Sequence, residues 1–287
     1  DFTGKDWASI QSFLAFQDRP EDMIVLNDHA LVATGTYGVQ CIDVADPENP
    51  SFLGTLDTYD ARTLKSTGGL VYLGDGGDGL KILDYADPES PQLLGHFDTY
   101  SRVVSGLAVH GSVVYLAAGL NGLMVIDAAD LDNPVLLGQN SDISRAMDVA
   151  HRDQWAFVID PNFGLQVVDV SQPEAPTIVA SLEMEASLDE LIIAGSTLYA
   201  GHPSQGIYAV DVTDPLFPEI QAWLPVGARD LVWKDGFLRA ASGEGVTVLD
   251  VRDPSVMTRV GFLPALQSYN GCHALGLAGE YCLMAGQ

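Results

Sequence analysis

One phrase recurs six times along the chain, and in each copy a hydrophobic run ends on an aspartate. The copies read CIDVADPENP from Cys41, KILDYADPESP from Lys81, MVIDAADLDNP from Met124, QVVDVSQPEAP from Gln166, YAVDVTDPLFP from Tyr208 and TVLDVRDPSVM from Thr247. The anchoring aspartates are Asp43, Asp84, Asp127, Asp169, Asp211 and Asp250. Their spacings of 41, 43, 42, 42 and 39 residues indicate one structural unit repeated along the chain.

Each repeat contains four short segments that favour β-strands. In the third repeat these are residues 105–109, 113–117, 123–127 and 135–138, separated by turns rich in Gly, Asn, Asp and Pro. Runs of Val, Ile, Leu and aromatic residues bounded in this way indicate strands, and no long stretch shows helical periodicity. Four strands per repeat of this length predict the blades of an all-β propeller.

The two ends of the chain supply segments that six repeats leave unexplained. Residues 272–287 look like the first two strands of a further repeat, and residues 1–16 align with an outer strand. We therefore expect a single domain over residues 1–287, folded as a seven-bladed propeller with four-stranded antiparallel blades. The N-terminal outer strand would pair with the C-terminal blade and leave no open sheet edge. The third strand of that blade has no equivalent at either end.

The repeated Asp-Pro segment has a mechanical explanation. The carboxylate that ends the third strand, such as that of Asp43, can accept backbone N–H groups in the turn that follows. Pro47 and Pro50 stiffen the turn and remove donors that could pair with another edge. Because nearly every repeat carries these residues, we assign them to folding and not to a unique site.

The segments GLQVVDVSQPEAP from Gly164 and GVTVLDVRDPSVM from Gly245 resemble the LVIVD-repeat family. These are bacterial and archaeal propeller repeats, found mostly in secreted or surface-anchored proteins. The resemblance covers nearly the whole chain. It implies a propeller fold and an extracytoplasmic location, and it implies little about activity, since propellers have many unrelated functions.

The chain is strongly acidic, with 39 Asp and Glu against 13 Lys and Arg and a net charge of −26. Such a charge opposes nucleic-acid binding, which depends on neutralising phosphates. It also suits a salty or extracellular setting, where self-repulsion is screened. No apolar run approaches the roughly 20 residues that span a bilayer, so we expect no direct membrane insertion. The three cysteines cannot form a closed disulfide framework.

Arginines and tyrosines concentrate in the links that lead into the first strand of the repeats. They are Arg19, Arg62, Arg102, Arg145 and Arg229, with Tyr59, Tyr100, Tyr269 and Asn270 in or beside the same links. In a propeller these links share one face around the central channel. Because Tyr and Arg dominate binding hot spots, we predict a partner- or ligand-binding face there. Alternatively, the arginines pair with carboxylates such as Asp57, Asp98 and Asp142 and brace neighbouring blades.

No catalytic or metal-binding motif stands out. The sequence has no G-x-S-x-G elbow, no HExxH pair and no phosphate loop, and its six histidines do not cluster. We therefore predict no catalytic residues and no cofactor. Asp75 and Asp78 are weak calcium candidates, because one Gly-rich link does not supply the six or more oxygens of a complete site.

The leading hypothesis is a non-enzymatic, extracytoplasmic module that binds a protein partner or a cell-surface component through one propeller face. The alternative is an enzyme or small-ligand binder that uses the channel mouth for an anionic or sugar substrate. In that case His273, Asp148 or Asp189 would lie beside the substrate. A third hypothesis is a structural subunit of a larger surface assembly. The oligomeric state stays open.

Overall fold

Four-stranded antiparallel sheets repeat along the chain, in the order that the sequence repeats predict. The structure, a computed structural model, describes residues 19–100, 103–184, 188–265 and 271–286. These residues form six four-stranded sheets and one two-stranded sheet. Within each four-stranded sheet, neighbouring strands are consecutive in the chain, which is the arrangement of propeller blades.

Blades 1 to 3 carry the following strands: β1 (Asp22–Leu26), β2 (His29–Ala33), β3 (Val39–Asp43), β4 (Ser51–Leu56); β5 (Thr63–Thr67), β6 (Leu70–Gly74), β7 (Leu80–Asp84), β8 (Gln92–Phe97); β9 (Gly106–His110), β10 (Val113–Ala117), β11 (Leu123–Asp127), β12 (Val135–Asn140). Blades 4 to 6 carry β13 (Val149–Arg152), β14 (Trp155–Asp160), β15 (Gly164–Asp169), β16 (Thr177–Leu182); β17 (Glu190–Ala194), β18 (Thr197–His202), β19 (Gly206–Asp211), β20 (Glu219–Leu224); β21 (Asp230–Lys234), β22 (Phe237–Ser242), β23 (Gly245–Asp250), β24 (Thr258–Pro264). The two-stranded sheet consists of β25 (Ala274–Ala278) and β26 (Tyr281–Ala285).

The first strands of successive blades pack side by side around the centre of the molecule. β1 contacts β5, and the series continues through β9, β13 and β17 to β21. β25 contacts β21 on one side and β1 on the other. Clusters of buried apolar side chains fill the spaces between blades, for example Leu31 with Leu73 between blades 1 and 2. Met23 and Ala274 belong to the cluster between blade 1 and the β25–β26 hairpin.

The expectation of seven four-stranded blades is wrong for the part of the chain that the structure describes, which forms six such blades. The segment 272–287 contributes only the hairpin β25–β26. The physical reason is that no described segment supplies a third strand for it. The predicted closure by residues 1–16 lies outside the described residues.

The prediction that the repeat aspartates act in folding is confirmed. Asp43 Oδ1 accepts the N–H of Ala45 at 2.9 Å, and Asp127 Oδ1 accepts that of Ala129 at 2.8 Å. The same bond recurs at the other four anchoring positions, Asp84, Asp169, Asp211 and Asp250. Each carboxylate therefore closes the turn that leads from the third to the fourth strand.

Replacing Asp127 by alanine should lower the free energy of unfolding by about 1 kcal/mol, because one turn N–H loses its acceptor. Asp127→Asn keeps a side-chain oxygen in the same place and should cost much less. Urea unfolding followed by circular dichroism measures both. Equal destabilisation by the two substitutions would contradict the assigned role.

The strand order defines two faces. The upper face carries the inter-blade links, which run from the outer strand of one blade to the inner strand of the next, and the 2–3 links between second and third strands. The lower face carries the hairpin turns between first and second strands and the 3–4 turns between third and fourth strands. No described helix is long and apolar enough to cross a bilayer.

Candidate functional site

The backbone pairing shows which residues occupy equivalent positions at the channel mouth. The N–H of Arg62 donates to the carbonyl of Gly74 at 2.9 Å, and that of Arg229 donates to Ala241 at 2.8 Å. The same bond is made by Glu21, Ser105, Met147, Asp189 and His273. Arg62 and Arg229 are thus equivalent residues of blades 2 and 6, whereas Arg19 and Arg145 precede this position by two residues.

Two of the predicted arginines form ion pairs with carboxylates close to them in the chain. Arg62 Nε donates to Asp60 at 2.8 Å, and Arg19 Nε lies 3.8 Å from a carboxylate oxygen of Glu21. In neither of these pairs does the arginine reach Asp57, Asp98 or Asp142. The Nε atom of Arg229 is buried without a hydrogen-bond partner among the described residues.

Three of the predicted site residues, Arg102, Tyr269 and Asn270, lie outside the described residues. Tyr59 and Tyr100 are highly exposed on the upper face, at 67% and 81% of their surface. Tyr100 adopts a left-handed backbone with φ of 57°, and its N–H donates to Asp98 at 2.6 Å. The link therefore holds this ring outward on a closed local turn.

Two fully buried carboxylates hold the inter-blade links in place. Asp75 accepts the N–H groups of Tyr59 and Asp60, at 3.0 and 2.7 Å. Asp160 accepts the N–H of Ser144 at 2.7 Å and, more weakly, that of Arg145 at 3.3 Å. Asp75 directly follows β6 and Asp160 ends β14, so in each blade the carboxylate ties the 2–3 link to the inter-blade link.

The calcium candidates already have a cation from the protein. Lys81 Nζ contacts Asp75, and it lies 2.7 Å from Asp78. Burial alone would raise the pKa of Asp75, but hydrogen bonds from Lys81, Asp60 and Tyr59 outweigh it and lower that pKa. Calcium would have to displace the ammonium group. Among the described residues, no three His, Cys, Asp or Glu side chains are placed to hold a metal ion.

The upper face of blades 1 to 4 exposes a set of large apolar side chains, most of which the sequence reasoning missed. We call this set the upper crescent, and it comprises Tyr37, Tyr59, Tyr100, Val103, Leu120 and Phe163. Tyr37, Leu120 and Phe163 occupy 2–3 links, where blades 5 and 6 carry the polar residues Ser204, Gln205 and Glu244. Among the described residues of these links, the exposed large apolar side chains therefore lie on the side of the mouth next to Arg62 and Arg145.

Below the mouth, four carboxylates face the channel around one lysine. Asp22, Asp148, Glu190 and Asp230 all occupy the residue after the equivalent position of Arg62, where their blades begin the inner strand. Asp22, Asp148 and Asp230 each accept a backbone N–H of the next inner strand, from Leu64, Leu191 and Leu275 at 2.7, 2.8 and 2.6 Å. These aspartates join neighbouring blades at the channel.

Lys65, two residues into β5, extends into the same channel. The Lys65 side chain is exposed to water inside the open channel, although the blades surround the channel on all sides. Burial opposes its charge, but attraction to Asp22, Glu190, Asp148 and Asp230 prevails and raises the pKa of the ammonium. One positive charge therefore stands among four carboxylates.

Burial and mutual repulsion weaken the acidity of these carboxylates. Burial raises the pKa of Asp148 to about 6, against the opposing effects of Lys65 and two backbone N–H groups. Burial and the charge of Asp22 raise the pKa of Asp230 to about 7. Burial, with the charges of Asp148 and Asp230, raises the pKa of Glu190 well above its ordinary value. His273 is buried at the channel mouth, as the sequence indicates.

The sequence model of the LVIVD repeat matches residues 60–99, 101–141 and 144–183, which are blades 2, 3 and 4 with their inter-blade links. The chain therefore contains three matched LVIVD repeats. The matched repeats include Arg62 and Arg145, the crescent residues Val103, Leu120 and Phe163, and the Asp75–Lys81 pair. No curated protein matches this chain in sequence.

Solved structures with little sequence identity share the fold. A chain of the mitotic checkpoint complex aligns with a TM-score of 0.72 at 16% identity, over 93% of this chain and 86% of that chain. The computationally designed protein Ika8 aligns at 0.69 with 11% identity, over 94% of each chain. A proposed 6-phosphogluconolactonase from Bacteroides uniformis aligns at 0.68 with 10% identity, over 84% of this chain and 83% of that one. At these identities the likeness concerns the fold alone.

The sequence carried one usable signal for the channel cluster. Alignment of the repeats places an acidic residue at the same point, at the start of the first strand, in blades 1, 4, 5 and 6. Sequence reasoning named Asp148 alone of these four. It also missed Lys65, because a single lysine inside a strand has no motif that marks it.

Proposed function

We propose that this LVIVD-repeat protein is an extracytoplasmic interaction module that binds a protein partner through its upper face. The observation that carries the proposal is the upper crescent, in which exposed Tyr37, Tyr59, Tyr100 and Phe163 lie beside Arg62 and Arg145. Rigid aromatic rings and arginines supply most of the binding energy at protein interfaces. The buried aspartates Asp75 and Asp160 support binding at the upper face, because they hold the inter-blade links in one conformation before a partner arrives.

The location outside the cytoplasm is part of the same proposal. It is supported by the LVIVD repeats and by the charge of −26, which suits a medium that screens repulsion. We also propose that residues 1–16 complete the β25–β26 sheet as an outer strand. The packing of β25 between β21 and β1 supports this, since the hairpin already occupies a blade position.

The test is a triple variant, Arg62→Ala, Arg145→Ala, Arg229→Ala, together with a Tyr59→Ser, Phe163→Ser variant. The partner is first captured from the native source by cross-linking and mass spectrometry, and its Kd is then measured by calorimetry. Each variant should weaken binding at least tenfold, which corresponds to about 1.4 kcal/mol.

The matched control is Arg252→Ala, Arg259→Ala, which removes two arginines from the lower part of blade 6 and should leave the Kd unchanged. An unaltered Kd in both upper-face variants would overturn the site. A similar loss in the control would mean that net charge, and not the upper face, governs binding.

The channel favours a second candidate function, binding of a small ligand, with or without catalysis. Its support is the juxtaposition of Lys65 with carboxylates of raised pKa, since titrating groups of this kind occur often in active sites. Burial raises the pKa of the Cys41 and Cys282 thiols to about 11, so neither is a nucleophile near neutral pH.

A thermal-shift series with sugar acids and with primary amines tests ligand binding in the channel. A stabilisation abolished by Lys65→Met would support it, and no shift with either series would count against it.

A further inference from the structure

The 3–4 turns of the lower face hold two residues whose chemistry changes abruptly in one blade. In blades 1 to 4 the pairs are Glu48–Asn49, Glu89–Ser90, Asp132–Asn133 and Glu174–Ala175. In blade 5 the pair is Leu216–Phe217, exposed at 45% and 73%. In blade 6 the second position is Val256, exposed at 62%.

The turn itself does not require apolar side chains. In blade 5, Asp214 accepts the N–H of Leu216 at 3.1 Å through its carboxylate and that of Phe217 at 3.0 Å through its carbonyl. In blade 1, Asp46 makes the same two bonds with Glu48 and Asn49, at 3.1 and 2.9 Å. Because the polar pair folds into the same turn, the exposed leucine and phenylalanine have no structural explanation within the turn.

The apolar residues of blades 5 and 6 belong to neighbouring parts of the rim. Met257, the residue after Val256, packs in the core cluster that also contacts Ala222 and Leu224 of β20. The blade 6 turn therefore lies against the outer strand that follows Phe217. Phe217 and Val256 occupy equivalent positions of adjacent turns, so both side chains face the same side of the molecule.

Charge decides between the occupants of this surface. The carboxylates Asp211, Asp214, Glu219, Asp250 and Asp253 surround the apolar residues and outnumber the three arginines beside these turns, Arg152, Arg252 and Arg259. An anionic lipid surface and a second copy of this acidic chain are both repelled. A basic segment that carries apolar side chains complements both the charge and the exposed apolar surface.

We propose that the 3–4 turns of blades 5 and 6 form a second docking surface, which binds a basic protein segment with adjacent apolar side chains. Leu216, Phe217 and Val256 receive the apolar side chains, and the surrounding carboxylates attract the lysines or arginines. The surface lies on the face opposite the upper crescent, so one propeller can hold two partners at once.

The test uses a synthetic peptide of alternating lysine and leucine as the probe, with a lysine–serine peptide of equal charge and a glutamate–leucine peptide as comparisons. Binding is measured by fluorescence anisotropy to the full chain and to the Leu216→Glu, Phe217→Asn variant. This variant carries the blade 1 pair, so the turn should fold unchanged, which a thermal melt checks. The added glutamate makes the surface more negative, so attraction by charge alone would strengthen.

We expect the lysine–leucine peptide to bind the variant at least tenfold more weakly, and the lysine–serine peptide to bind the variant at least as tightly as the wild type. A second variant, Leu120→Ser, Phe163→Asn, alters the upper face and should leave the Kd of the lysine–leucine peptide unchanged. Equal binding by the Leu216→Glu, Phe217→Asn variant overturns the proposal, as does equal binding of the glutamate–leucine peptide. Analytical ultracentrifugation tests for a second copy as the occupant. If the wild type dimerises and the Leu216→Glu, Phe217→Asn variant does not, the proposal is also overturned.

Discussion

Replacement of Gly95 by alanine should destabilise the propeller by about 3 kcal/mol or more, which is a large effect for one added methyl group. Gly95 lies in β8, the outer strand of blade 2. A Cβ at this residue would stand 1.7 Å from the carbonyl oxygen of Leu131 in blade 3. Leu131 itself packs against the core between blades 2 and 3, so its backbone cannot move away without opening that core.

The chain offers an internal control at an equivalent residue. Gly54 lies at the same point of β4, and a Cβ there meets no atom within 4 Å. Gly54→Ala should therefore be close to neutral, whereas Gly138→Ala, whose Cβ would lie 2.4 Å from the carbonyl oxygen of Pro173, should resemble Gly95→Ala. Urea unfolding followed by intrinsic fluorescence compares the three. Similar stabilities for Gly54→Ala and Gly95→Ala would refute the close inter-blade contact.

Lys65→Met should lower the free energy of unfolding at pH 8 by about 1–2 kcal/mol. This value is small for a charge among four carboxylates because water in the channel screens the interactions. The substitution leaves the carboxylates of Asp22, Asp148, Glu190 and Asp230 without their cation. Glu190→Gln should have the opposite sign and stabilise the protein at pH 8 by about 1 kcal/mol. It removes one repelling charge, and no described hydrogen bond depends on the Glu190 carboxylate.

Both effects should fade as the pH falls. A carboxyl group whose folded pKa is raised binds its proton more tightly in the folded state than in the unfolded state. Its cost to stability is therefore largest above the folded pKa, shrinks as the pH falls below that value, and is lost only below the unfolded pKa. With pKa values of about 7 for Asp230 and about 6 for Asp148, and a raised value for Glu190, the window runs from about pH 8 to pH 5.

Differences between variants isolate this effect from other titrating groups. Burial and the neighbouring His110 lower the pKa of His151 to about 4, so His151 alone would reduce stability as the pH falls below its ordinary value. That contribution cancels when each variant is compared with the wild type at the same pH. Thermal melts at pH 8, 6.5 and 5 should show the Lys65→Met and Glu190→Gln differences shrinking together. Differences that stay constant from pH 8 to 5 would contradict the coupled channel cluster.

The fold could be predicted from the sequence in most respects, and the reasons are local. Strand patterning and the Asp-Pro turns act over a few residues, so six copies of one pattern identified six blades and the role of Asp43 and its equivalents. The number of complete blades was mispredicted, because a sequence pattern at the ends cannot show whether distant segments pair. The candidate site was predicted only in part. The link positions of Arg62, Arg145 and Arg229 follow from the repeat register, but their contacts do not.

Residue type and short spacing are enough to specify the repeated four-stranded unit, the turn aspartates and the acidic character of the chain. The geometry of the ring, which no local pattern encodes, places Asp22, Asp148, Glu190 and Asp230 around Lys65, since these residues come from five blades. It also decided which apolar residues stay exposed, among them Phe163 and Phe217. Burial depends on packing between blades, and two residues of the same type in similar links can have opposite surroundings.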